Sequence, residues 1–147
     1  MTHFMFYAGK AYNYKLQKEA AQKILKENSS YIGESYIYIY NQANMDPITE
    51  TIKDGYHQEL SDRIAAKHSA YSYEDLPTDK IGAIFGAEYF DPNSKLSFGE
   101  QLYQYLMTLG ATTPDQAPNY HDLPLNEVET PTRTNHSTKP VYTNDNP

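Results

Sequence analysis

The chain has 147 residues, 39% of them hydrophobic, and a formal net charge of −7, which suits one domain with one modest core. An acidic chain with no basic run lacks the cations that displace counterions from phosphate backbones or anionic headgroups, so neither nucleic acid nor a charged membrane surface is expected as a partner. There is no cysteine, which removes disulfides and thiolate catalysis, and no apolar run approaches the roughly 18 residues of a membrane span.

The opening stretch MTHFMFYAGKAYNY has no basic segment ahead of an apolar one, so it is not read as a cleaved secretory signal. The expected location is therefore the cytoplasm, or the exterior by a route without a cleaved signal peptide. Fifteen Tyr stand against five Phe and no Trp. A core rich in Tyr carries hydroxyls that each need a hydrogen-bond partner.

In chain order, residues 1–9 are apolar but short, and are expected to lie as a strap on the core. A first helix is expected over about 14–28, with Leu16, Ala20, Ala21, Ile24 and Leu25 at helical spacing and the lysines outward. Residues 31–44 are ambiguous. SYIYIY is β-prone, yet both of its alternating faces are apolar and the chain holds no second run to pair with it. A buried helix over about 31–42 is the resulting expectation. The third helix has a clear start, with Asp46 as N-cap, Pro47 at the first position and Glu50 in the first turn. Ile48, Ile52, Tyr56, Leu60 and Ile64 recur every four residues and predict its core stripe, running to about Ala70.

A polar turn leads to a fourth helix restarting at Leu76-Pro77. Ile81, Ile84, Phe85 and Tyr89 form its apolar face, and Gly82 with Gly86 offers a smooth ridge for close helix contact. The expected neighbour is the third helix near Gly55 or Tyr56. Asp91-Pro92-Asn93-Ser94 is a turn. Ser97 and Glu100 are spaced as a capping box for a last helix, which carries Phe98, Leu102, Tyr105, Leu106 and Leu109 on one face and stops at Gly110. Six of the 9 prolines follow. The sequence thus predicts an all-α bundle of four or five helices over residues 1–112 and a Pro/Thr/Asn-rich tail over 113–147. That tail lacks the apolar periodicity to offset its ordering entropy and is expected to be extended or disordered.

Candidate chemistry gathers around the third helix and the turn after it. His57, Ser61 and His68 share roughly one helix face. A histidine beside Glu74, Asp75 or Asp79 is the arrangement for general-base work. Asp62 stands about 140° around the helix from His57 and cannot readily orient it. His68 with Glu74 or Asp75 is the short-range pair to examine, and a hydrogen bond at the helix C-terminus, where a cationic His is favoured, accounts for it without catalysis. Glu74, Asp75 and Asp79 are equally explained by capping and the helix dipole, and Glu34 by a place on a helix surface. No cofactor fingerprint and no metal-ligand spacing occurs, so neither a cofactor nor a metal is expected.

Within Tyr73–Gly86, the residues Asp75, Leu76, Asp79, Gly82 and Gly86 fit a pattern of an acidic residue, an aromatic or Leu, a small polar residue, Asn or Asp, and two glycines four apart. The segment resembles a short motif of helical C-terminal regions in Rhs-type and other polymorphic toxin proteins of bacteria. It spans 14 residues of the chain. The resemblance implies a bacterial, secretion-linked setting and transfers no catalytic role. The leading expectation is a secretion-associated effector or toxin-like module acting through a protein partner. The alternatives are a small hydrolase using His57 or His68 with nearby carboxylates, and a structural or adaptor protein. A pocket joining His57 to acidic side chains favours the enzyme, and a large exposed apolar patch favours the binding module.

Overall fold

One long helix, α1 (Thr2–Glu27), is the spine on which the other elements pack. At 1.5 Å rise per residue it is about 39 Å long. The computed structural model describes residues 2–27, 30, 32–65, 74–113, 116 and 136–138. Among these residues the chain is all-α, a bundle with no strand. After α1 come α2 (Glu34–Asn44), α3 (Pro47–Ala65), α4 (Asp75–Ile84) with a π-helical turn (Phe85–Tyr89) continuing it, and α5 (Phe98–Thr108).

The start of α1 corrects the expected strap. Residues 2–9 are the first turns of the same helix, and Phe4, Tyr7, Ala8 and Ala11 are its buried face. Those positions repeat at helical spacing. Gly9 costs about 1 kcal/mol of propensity relative to Ala, which one residue inside a continuous apolar stripe does not outweigh. The later turns pack less tightly. Ala21 is buried, while Leu16 is exposed.

Helix α2 is a helix, as the missing partner strand requires, but it is not buried. Only Ala43 is fully covered, and Tyr36, Ile37, Tyr38 and Tyr40 face outward. The reason is position: α2 lies along one side of α1, tied there by the Gln22 side chain donating to the Ala43 carbonyl at 3.1 Å, and no further layer covers it among the described residues.

Helix α3 starts as its sequence predicts. The Asp46 carboxylate accepts from the Thr49 amide at 3.2 Å and from the Thr49 hydroxyl, and Pro47 opens the helix. Its buried face, however, is Pro47, Thr51, Gly55 and Glu59, one residue ahead of the expected stripe. Ile64 is 82% exposed and Leu60 is exposed as well. One residue is a 100° rotation. The face is chosen by fit, because α4 approaches so closely that only small or hydrogen-bonded side chains can lie between. Thr51 satisfies its hydroxyl on the Pro47 carbonyl at 2.7 Å.

The glycine ridge of α4 does meet a helix, but the partner is α1 rather than α3. A Cβ on Gly82 would lie 2.4 Å from the Phe4 carbonyl oxygen, and one on Gly86 would lie 1.9 Å from that of Ala8. The two backbones touch at successive turns. The ridge holds the apolar core together, where Phe4, Ala8, Phe85, Tyr105 and Leu109 are buried and Ile81, Ile84, Phe90, Leu102 and Leu106 pack around them. Phe85 stands amid Phe4, Phe90, Phe98 and Tyr105, at ring separations of 5.4 to 6.2 Å. Tyr105 meets the hydroxyl requirement by donating to the Ile81 carbonyl at 2.9 Å, and burial pushes its phenol well above the usual range.

The turn after α4 and the last helix match their sequence signals. Asn93 N–H donates to the Asp91 side chain, and Ser97 with Glu100 forms the reciprocal capping box. Gly110 takes φ 60°, the left-handed stop. Gln101, which no motif marks, fastens this turn: its amide donates to the Asp91 and Leu96 carbonyls and accepts from the Asp91 N–H. Most of residues 113–147 lies outside the described residues. Within the described part, the His136 carbonyl accepts a hydrogen bond from the Tyr56 hydroxyl at 2.8 Å.

Candidate functional site

Two features stand out: a buried polar seam where α1, α3 and α4 meet, and the uncovered face of α2.

The seam is built from helical repeats. On α1, His3 and Tyr7 are one turn apart; on α3, Gly55 and Glu59; on α4, Asp75 and Asp79. The two members of each pair therefore face the same place. Asp79 is at the centre, 1% exposed. Its Oδ1 receives the His3 Nδ1 at 3.2 Å, and its Oδ2 has no hydrogen-bond partner. Gly55 makes room for that oxygen, since a Cβ there would stand 2.7 Å from it. Glu59, also 1% exposed, lies one turn further along α3.

Burial dominates the electrostatics here. It raises the Asp79 carboxyl to about 7, against the pull of the His3 hydrogen bond and charge, and the neighbouring Asp75 and Glu59 push the same way as burial. Tyr7, buried beside them, is held far above the ordinary phenol range by burial first and then by the Asp79 and Glu59 charges. The outer end of the seam behaves oppositely. Burial pushes Asp54 up, but the Lys10 ammonium at 2.7 Å and the Tyr14 hydroxyl at 2.8 Å outweigh it, and its carboxyl sits below the usual range. Hydrogen bonding to Asp54 in turn raises the Tyr14 phenol.

Chemically, the inner seam sets a carboxyl raised by burial against an imidazole. A carboxylate at Nδ1 orients an imidazole for base work at Nε2. In this seam the His3 Nε2 lies 3.8 Å from the Asp75 carboxylate, so both ring nitrogens face acids. No group of three or more His, Cys, Asp or Glu side chains is arranged to hold a metal ion among the described residues.

The residues marked from sequence are scattered by the fold. The His57 side chain is exposed on α3; its backbone carbonyl accepts from the Ser61 hydroxyl at 3.0 Å, and its side chain acts electrostatically on Asp54, outside the inner seam. Glu74 is exposed at the start of α4, without a side-chain capping bond. His68, and with it the pairing to Glu74 or Asp75, lies outside the described residues. Asp75 does approach a histidine, but that histidine is His3. Gly82 and Gly86 act in packing. Sequence reasoning missed His3, Tyr7 and Glu59. The available signals were the Phe4–Tyr7–Ala8–Ala11 spacing, which makes the first residues helical, and the four-residue interval from Thr51 through Gly55 to Glu59.

The second feature is apolar. Tyr38 is 66% and Ile37 58% exposed on α2, and Ile32, just before the helix, is 86% exposed. Tyr36 and Tyr40 stack on each other at the surface, their centroids 6.0 Å apart. Beside them a shallow groove of about 230 Å³ runs between α1 and α2, with Ala20, Ile24, Tyr38 and Ile39 on its walls. No helix among the described residues is long and apolar enough to cross a membrane.

The chain matches no family model, no curated protein and no solved structure.

Proposed function

We propose that this chain is a helical interaction module, of the secretion-associated bacterial effector kind, that acts through a protein partner seated on α2. The observation that carries the reading is the exposure of Tyr36, Ile37, Tyr38 and Tyr40 on one short helix with an apolar groove at its side. Large apolar side chains exposed together on one helix mark interaction sites, and Tyr is enriched at the energetic centres of interfaces. The helix has a single charged residue, Glu34, so its central turns dock without desolvating a charge. The secretion-linked setting is supported by the Asp75–Gly86 resemblance alone. Within it, Leu76, Asp79, Gly82 and Gly86 are buried by the packing of α4, which is a structural role.

The test uses the full chain carrying a photo-crosslinking side chain at Ile37 or Tyr38, with Lys53 on α3 as the control position, in an extract of the source cells. The expected result is a discrete adduct from the α2 positions and none from Lys53. The purified partner should then bind the wild-type chain and lose at least tenfold in affinity for the folded Ile37→Asp variant. Equal affinity for wild type and Ile37→Asp would refute α2 as the site.

A further inference from the structure

The buried seam has no part in the proposed interaction, yet it holds the most unusual group in the molecule. A carboxylate oxygen that is fully buried and unpartnered is very costly when charged, and is tolerated when the group is neutral. Asp79 Oδ2 is such an oxygen. One wall beside it is the bare backbone of Gly55, which offers it no side-chain donor. The groups that act on it are His3 from α1, Glu59 from α3 and Asp75 from its own helix, while Tyr7 of α1 faces Asp79 and Glu59 and, elsewhere on α3, Asp54 and Asp62, with Lys10 committed to Asp54. Two acids and one imidazole thus stand around a carboxyl group, and the imidazole comes from the second residue of α1.

We propose that Asp79 and His3 form a proton-operated latch that fastens the first turns of α1 to α4 and slackens when Asp79 loses its proton. With that proton present Asp79 is neutral and the contact holds. Once it leaves, a charged carboxylate with one unpartnered oxygen is buried in a seam that already contains Glu59 and Asp75. The cheapest relief is to hydrate Asp79 by lifting the His3 turn, because the His3 side chain is already 44% exposed and sits in the first turn of α1, whereas Asp75, at the start of α4, is on the same helix as Asp79 itself. The same turn carries Phe4, so release also uncovers the apolar core around Phe85 and Tyr105. The transition is that of the Asp79 carboxyl. Burial places it near neutrality, where the Asp79 carboxyl is held at about 7.

Hydrogen exchange on the full chain tests this, read at the amides of Phe6, Tyr7 and Ala8 from pH 5.5 to 8.5 and corrected for intrinsic base catalysis. The expected result is a loss of protection of at least tenfold, centred near neutrality and confined to the first turns of α1. In Asp79→Asn the protection of these amides should not change with pH. Flat protection in the wild type, or the same loss in Asp79→Asn, would overturn the latch. Carbon NMR of the Asp79 carboxyl in the wild-type chain keeps the idea testable even if that variant does not fold. A midpoint coinciding with the exchange transition supports it, and an ordinary midpoint near 4 refutes it.

Discussion

Replacing Gly86 by Ala separates helix propensity from helix packing. By propensity alone the change stabilises a helix by about 0.8–1 kcal/mol. The geometry predicts the reverse. The new methyl carbon would stand 1.9 Å from the Ala8 carbonyl oxygen, a backbone atom that no rotamer change can move. An ordinary C···O contact is about 3.3 Å, so α1 and α4 must separate locally by about 1.4 Å. That movement loosens Phe4 and Ala8 from Phe85, at the centre of the core. Overpacking of this kind costs about 1–3 kcal/mol, and a backbone obstacle favours the upper end. The net expectation is a loss of about 1–2 kcal/mol, or a Tm about 4–16 °C lower for a domain of this size. Gly9 is the internal control, since a Cβ there meets nothing within 4 Å and Gly9→Ala should raise stability by up to about 1 kcal/mol. Urea denaturation followed by far-ultraviolet circular dichroism measures both. If Gly86→Ala and Gly9→Ala stabilise alike, the close approach of α1 and α4 is wrong.

Asp79 predicts a pH dependence of stability opposite in sign to that of an ordinary carboxylate. Its folded value, about 7, lies above the unfolded value, so its contribution is fully present below about pH 4 and is lost as pH rises through 7. Asp54 and Asp46 are lowered and run the other way, so the quantity to measure is wild type minus Asp79→Asn. Asn should gain on wild type between pH 5 and 8 in paired denaturant titrations, and a difference that does not vary with pH would contradict the assignment. Ser97→Ala removes the oxygen that accepts the Glu100 amide and should cost about 1 kcal/mol, measured by urea midpoint. Tyr56→Phe deletes the exposed bond to the His136 carbonyl, and truncation after Thr130 deletes the same bond. Both should lower stability by a similar amount, within about 0.5 kcal/mol, and a much larger loss on truncation would reveal further contacts from the tail.

The start of α3 and both ends of α5 were legible in the sequence because they depend on local chemistry, whereas the start of α1 was not. Asp46, Pro47, Ser97, Glu100 and Gly110 each satisfy or end a backbone ladder within a few residues, and each acts in the structure as its type requires. Which face of a helix becomes buried was less legible. Apolar spacing favoured Ile48 to Ile64 on α3, yet Thr51, Gly55 and Glu59 are the buried positions, since the distance to α4 rather than hydrophobicity selects the face. The same limit hid the candidate site. A dyad search along one helix joins His57 or His68 to nearby acids. The contact that forms spans 76 positions, from His3 to Asp79, and depends on residues 2–9 being helical.

The two features of the molecule divide its surface economy in a way that bears on function. Along α1, the first three turns are locked into the core by Phe4, Ala8 and the glycine ridge, whereas the later turns support α2 through Ala21 and Gln22. Helix α2 is thus carried on the far end of a rigid spine and leaves most of its aromatic side chains uncovered. Tyr suits that position better than Leu or Phe, because its ring supplies contact area while its hydroxyl remains hydrated in the free protein. A helix whose one fully buried residue is Ala43, tied by the Gln22 bond and its groove-facing side among the described residues, has little to lose by adjusting to a partner. The expected order of events in native-state exchange is therefore early opening of α2 and late opening of α4, and partner binding should protect α2 most.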